Sequence, residues 1–291
     1  MKAAFRMVLA AAVSVSLFAA VSGCGRGGGE GSYITVKGSD TMVHLVSTWA
    51  ETYMQQNVDV EVSVTGGGSG TGIAALINGT TDLCAASRDM KPRERELAGE
   101  RGIEPQEITV AMDGIAVVVN PSNPVNDLTL EQLYEIYTGA VTNWSQVGGE
   151  DRNIIVLSRE SSSGTYVFFQ EHVLRKEDYV ATAMLMPATS AIIQSVSEDA
   201  AAIGYVGLGY AEEASDRVKA LGVKDTPESE PVLPSTETVV SDEYSIARPL
   251  FLYTAGAPVG PVKEFVDFCL SPAGQEIVAK TGYVPLTAAG E

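Results

Sequence analysis

Residues 58–77 read VDVEVSVTGGGSGTGIAALI. Val58, Val60, Val62 and Val64 alternate with Asp59, Glu61 and Ser63, the period of a strand with one face buried. The glycine-rich turn Gly66 to Gly72 follows, and then a short apolar stretch, so the segment reads as strand, turn and helix start. Upstream, Met42, Leu45, Val46, Trp49, Tyr53 and Met54 share one face of a helix, with Ser39 or Asp40 placed to cap it. Working outward, strand patterns fall at 82–86, 108–120, 154–158, 202–206 and 246–254. Helix patterns fall at 129–138, 165–174, 261–270 and 272–280, the last two opened by Pro261 and Pro272. Strands alternate with helices throughout, which predicts an α/β protein. No internal repeat is visible.

A chain of 291 residues has room for two domains. With 45% apolar and 19% charged residues it is neither disordered nor fibrous. Acids outnumber bases 37 to 19, so the chain lacks the basic footprint of a nucleic-acid binder. Three cysteines make neither a disulfide framework nor a zinc cage, and two histidines leave little for His-based catalysis. No metal or cofactor is expected. At the N-terminus Lys2 and Arg6 precede a short apolar run over 8–20, then Val21-Ser22-Gly23-Cys24. This reads as a lipoprotein signal over 1–23 with Cys24 as the lipidated residue; a plain secretory signal cut near the same place is the alternative. Its removal takes Lys2 and Arg6 away and moves the net charge from −18 to −20. Residues 24–32 then form a Gly-rich tether, and the folded part is expected to begin near Tyr33, outside the cytoplasmic membrane. Cys84 and Cys269 sit among apolar residues as buried thiols, and the sequence leaves open a disulfide between them. Residues 211–243, with nine acids against three bases and with Pro227, Pro231 and Pro234, read as a solvated surface excursion.

Three turns carry the chemistry. They are Gly38-Ser39-Asp40-Thr41-Met42, Gly66 to Gly72 with Ser69 and Thr71, and Arg159-Glu160-Ser161-Ser162-Ser163-Gly164-Thr165-Tyr166. Each lies at a strand-to-helix turn, where a helix start offers unpaired N–H groups and the positive end of its dipole. Glycine permits close backbone approach, and the hydroxyls add donors. Three such turns brought together make a cage for a small oxyanion. Nucleotide readings fail: no Gly-Lys-Ser/Thr follows the glycines, and Thr71 stands where a dinucleotide fingerprint needs its third glycine. Around Ser69 the chain reads GGSGT, not the serine-hydrolase elbow. Neither His44 nor His172 has an evident nucleophile partner, so an enzyme is the weaker class.

These marks together resemble the phosphate-binding lipoprotein of the high-affinity phosphate ABC transporter, a type II periplasmic binding protein. The resemblance runs from about Tyr33 to the C-terminus, through GSDTM (38–42), GGGSGTGI (66–73), TDLCAASRDMK (81–91), DGIAVVVNPSNPV (113–125), LYEIYTGAVTNWSQVGG (133–149), SRESSSGTYVFF (158–169), ARPLFLYT (247–254) and VKEFVDFCLSPAGQEIV (262–278). It implies two α/β lobes, 33–113 plus 247–291 and 114–246, joined by two hinge crossings over 113–120 and 246–254, with the ligand cleft between them. Phosphate ligands are implied at Thr41, the Met42 N–H, Ser69, Ser87, Arg159, Ser163, Gly164 and Thr165, with Ser39, Asp40, Arg88 and Asp113 as secondary candidates. Well-known family members carry an Asp near Ser87 that accepts the phosphate proton, whereas another branch of the family carries Ser-Arg. Here Ser87-Arg88 stands there, and Asp40 or Asp113 is left for that role. Arg88 either touches the ligand or pairs with Asp89 or Glu94. The implied partners are inorganic phosphate, membrane permease subunits and the bilayer through Cys24, for a monomer on the outer side of the cell membrane. The rivals are the same fold holding sulfate, molybdate or tungstate, a sensing or adhesion lipoprotein, and a phosphatase-like enzyme.

Overall fold

The computed structural model describes residues 31–286; the signal sequence and Cys24 lie outside them. The first half-sheet is built by β1 (Ser32–Gly38), β2 (Val60–Thr65) and β3 (Leu83–Ala86), with α1 (Val43–Gln56), α2 (Ser69–Ile77) and α3 (Pro92–Glu100) between and after them. Ser32 is already paired with Val60, so the fold starts one residue before the expected tether boundary. The expected strand at 58–64 begins only at Val60; Val58 is exposed. Helix α3, with its Arg- and Glu-rich sequence, had no apolar period to announce it.

Strand β4 (Gln106–Val119) then runs out of this half and into the other. There β5 (Asp127–Thr129), α4 (Leu130–Thr138), β6 (Ile155–Arg159), α5 (Gly164–His172), β7 (Met184–Met186), α6 (Thr189–Glu198), β8 (Ala202–Gly207) and α7 (Leu208–Glu213) follow. Helix α4 is bounded as its sequence predicts. Thr129 caps it, accepting from the Gln132 N–H, and Gly139 ends it in the left-handed region.

Residues 211–243 are not a mere surface excursion. They include β9 (Lys219–Ala220), β10 (Gly222–Lys224) and α8 (Thr236–Val240). Leu221, Val223 and Val239 are buried in the second core. Most of their apolar side chains point inward, Leu233 and Val240 excepted, while the acids face water, so the composition hid the packing. The chain returns through β11 (Ala247–Thr254) and closes with α9 (Gly260–Leu270) and α10 (Pro272–Lys280).

The strands run in the order β2-β1-β3-β11-β4-β8-β6-β7, with β9 beside β4. β4 joins the halves: its residues Gln106–Gly114 pair antiparallel with β11, and Ile115–Val119 pair with β8. The cores change hands at the same point. Val110 and Ala111 pack with Ile34, Trp49, Leu250 and Phe265, whereas Ile115 and Val117 pack with Tyr137, Trp144, Phe169 and Tyr205. Cys84 and Cys269 lie in the first half as buried free thiols, without a disulfide between them. Burial pushes both thiols upward from their ordinary range.

Candidate functional site: a hydroxyl cage between the halves

All three predicted turns meet where the two halves face each other. The β1–α1 turn places Ser39 and Thr41, the glycine turn places Ser69 at the first residue of α2, and the end of β3 places Ser87. The α5 start places Ser163, Gly164 and Thr165. Every one of these side chains is buried.

The donor directions are set by the backbone. Ser163 Oγ caps α5, accepting from the Thr165 and Tyr166 N–H groups at 3.2 and 3.4 Å. Ser69 Oγ accepts from the Ser87 N–H at 3.0 Å. A hydroxyl that accepts an internal N–H keeps its own proton to donate outward. Across the cage, Ser39 Oγ donates to Ser87 Oγ at 2.9 Å, and Thr41 and Thr165 hydroxyls lie 2.7 Å apart. The result is a set of O–H donors at two helix starts, which suits an oxyanion and disfavours a cation.

Glycines let the turns approach. A Cβ on Gly68, which has φ +95°, would stand 2.5 Å from the Ser162 carbonyl oxygen. A Cβ on Gly164 would stand 2.3 Å from Ser69 Oγ and 2.5 Å from Ser87 Oγ. The Gly70 N–H donates to that same Ser162 carbonyl at 3.0 Å, a bond from one half to the other.

The charged candidates are all engaged with protein groups. Arg159, 2% exposed, donates to Thr189 Oγ1 at 2.7 Å, the Pro187 carbonyl at 3.0 Å and the Met186 carbonyl at 3.3 Å. It also lies 3.3 Å from Asp40 Oδ2. Burial draws the Arg159 pKa down from its ordinary value, and Asp40 opposes that shift. Asp40 accepts from the Thr189 N–H at 2.7 Å. Neither Ser39 nor Asp40 caps the first helix with its side chain, because both are spent on contacts across the cage. The Met42 N–H is bonded to the Ser39 carbonyl at 3.1 Å.

Arg88 takes its sequence neighbours. Its two terminal nitrogens each lie 2.8 Å from a Glu94 oxygen, and Nη1 also donates to the Asp89 carbonyl. Burial would raise Glu94, but the Arg88 guanidinium and the Lys91 N–H outweigh it and hold the carboxyl below its usual range.

Asp113 is fully buried on β4. Oδ1 accepts from the Leu208 N–H at 3.1 Å and Oδ2 accepts from Arg248 at 2.9 and 3.2 Å. Burial pushes its pKa upward and Arg248 works against that shift. Both Thr41 and Asp113 border Gly207, whose Cβ would sit 3.0 Å from Thr41 Cγ2 and 3.1 Å from Asp113 Oδ1. The site residue that the motifs missed is Arg248. Its signal was a lone cation inside the apolar strand run ARPLFLYT. Tyr283, which donates its hydroxyl to the Thr41 carbonyl at 2.5 Å, carried no such signal.

Among the described residues, no group of three or more His, Cys, Asp or Glu side chains is placed to hold a metal ion, and no helix is long and apolar enough to cross a membrane. Two α/β halves joined by two strands, with a buried donor cage between them, define the class of two-lobed solute-binding proteins.

Residues 25–273 match the model of a PBP superfamily domain. The chain is 35% identical over 266 residues to the phosphate-binding protein PstS of Staphylococcus saprophyticus, which covers 88% of this chain and 82% of that protein. It is 34% identical over 264 residues to the protein SphX of Synechococcus elongatus, 88% and 78% of the two chains. A Clostridium perfringens crystal structure is described as a putative phosphate ABC transporter substrate-binding protein with bound phosphate. It superposes with a TM-score of 0.80 at 32% identity, covering 88% of this chain and all of that one. The chain belongs to the PstS phosphate-binding family of the PBP superfamily.

Proposed function

We propose that this protein is the extracytoplasmic solute-binding component of a phosphate ABC importer. It captures inorganic phosphate between its lobes, 33–113 plus 247–291 and 114–246, and delivers it to membrane permease subunits. It works as a monomer, tethered through a lipid on Cys24, and performs no chemical turnover. The observation that carries the reading is the hydroxyl cage of Thr41, Ser69, Ser87, Ser163 and Thr165, drawn from both lobes. An anion touching both sides is bound more tightly when they are together, and this differential affinity is what drives closure.

Phosphate is favoured over sulfate by Asp113. Near neutral pH phosphate keeps a proton that a buried carboxylate can accept, whereas sulfate has none to offer and meets only repulsion. Asp40 is less suited, because its side chain is 21% exposed and water screens the repulsion that rejects sulfate, whereas Asp113 is fully buried. The net charge of −20 left once residues 1–23 are removed does not oppose anion capture, because short-range donors in a dry cleft act more strongly than distant surface charge.

Each hydroxyl bond to a charged ligand contributes about 1.5–3 kcal/mol. Ser163→Ala removes one such hydroxyl, and Arg159→Ala leaves Asp40 an unpaired anion beside the cage, so each is expected to weaken phosphate binding by roughly tenfold or more. Intact affinity in both variants would reject the cage as the site. Cells lacking the protein are expected to lose high-affinity phosphate uptake and to regain it with the native chain but not with Ser163→Ala.

A further inference from the structure

Arg248 stands directly opposite Asp113 in the antiparallel pairing of β11 with β4, the two strands that join the lobes. It is 2% exposed. Nε and Nη2 donate to Asp113 Oδ2 at 3.2 and 2.9 Å, Nη1 donates to the Ser87 carbonyl at 2.8 Å, and Nη2 donates to Thr165 Oγ1 at 3.0 Å. Its guanidinium carbon lies over the Phe168 ring at 5.3 Å. One side chain thus holds both hinge strands, the end of β3 in one lobe and the start of α5 in the other.

The direction of the Thr165 bond is forced. A guanidinium carries five donors and no acceptor, so Thr165 Oγ1 must accept. The Thr165 proton then has to point elsewhere, and Thr41 Oγ1 lies 2.7 Å away inside the cage. A hydroxyl polarised in this way is also a stronger donor on its other side.

We propose that Arg248 is a positioning residue for the bound anion, turning Thr165 into an obligate donor toward the cage and holding it against Ser87 when the hinge strands bring the lobes together. The inference rests on the phosphate reading and adds to it a residue that acts through Thr165. Were Arg248 only the counter-ion of Asp113, its loss would act independently of the Thr165 hydroxyl.

The test is a double-mutant cycle read by calorimetric phosphate titration of the purified protein, stripped of anion by unfolding and refolding. The four proteins are the unaltered chain, Arg248→Lys, Thr165→Val and the double variant. Each single change is expected to weaken phosphate binding about tenfold or more, and the double variant to bind within roughly threefold of the weaker single one. Losses that multiply, or Arg248→Lys binding within about threefold of the unaltered protein, would overturn the role. Should Arg248→Lys fail to fold, the cycle is run with Arg248→Gln and Thr165→Val in an Asp113→Asn background, each compared with Asp113→Asn alone, with the same two outcomes. No phosphate binding by the unaltered protein would instead refute the phosphate reading itself.

Discussion

Replacing Gly164 by alanine separates folding from closure. Gly164 is the first residue of α5, and its φ does not lie in the left-handed region. Within its own lobe an alanine is therefore tolerated, and its better helix propensity adds about 0.5–1 kcal/mol. Across the cleft the same methyl would stand 2.3 Å from Ser69 Oγ and 2.5 Å from Ser87 Oγ. Both neighbours are fully buried, and the Ser87 N–H to Ser69 Oγ bond ties them together. Restoring ordinary contact takes a shift of about 1 Å, which an overpacked interior resists at a cost of about 1–3 kcal/mol. That cost falls on the arrangement in which the α5 start meets Ser69 and Ser87 around the anion, so phosphate affinity should drop roughly 5- to 150-fold. The assay pairs calorimetric phosphate titration with a thermal melt in the absence of phosphate. The expected result is an unchanged or slightly raised melt with weakened binding. An affinity within about threefold of the native protein would refute the reasoning, because the α5 start and Ser69 could then not meet around the anion.

Asp113→Asn should raise sulfate affinity relative to phosphate by about tenfold or more in a competition titration, since it removes the acceptor and leaves Arg248 as an unopposed cation. Glu94→Gln strands the buried Arg88 guanidinium and should lower stability at pH 7 by about 3 kcal/mol in urea unfolding. Because Glu94 is held below its usual range, its contribution is complete above the unfolded carboxylate pKa and is lost as pH falls through the folded value. The difference between native and variant should therefore shrink below about pH 4. Cys84 and Cys269 should stay unreactive toward a disulfide reagent in the folded protein and both react in denaturant, since burial keeps their thiols protonated.

Much of this was legible from periodicity and turn chemistry. The Val60–Val64 alternation, the helix over 129–138 with its stop at Gly139 and the three Ser/Thr/Gly turns depend on residues close in sequence, and their physics is local. What the sequence hid depends on the fold. Arg248 and Asp113 are 135 residues apart and meet because β11 and β4 pair in that register; a lone charge in each apolar strand was the visible trace. Asp40 looked like a helix cap because local rules favour it there, yet Arg159 and Thr189 from the other lobe claim it. Helix α3 and the strands within 211–243 escaped because charge dominates their composition, while a few inward apolar residues decide their packing.

The central claim is that the cage holds phosphate and rejects other tetrahedral oxyanions lacking an acid proton. Its most direct test is calorimetric titration of the anion-stripped protein with phosphate, then arsenate, then sulfate, across pH 5 to about 8.5, a span over which phosphate exchanges a proton and sulfate does not. Tight phosphate binding, competition by arsenate and no measurable sulfate binding are predicted. Equal binding of sulfate, or no binding of phosphate, would contradict the account.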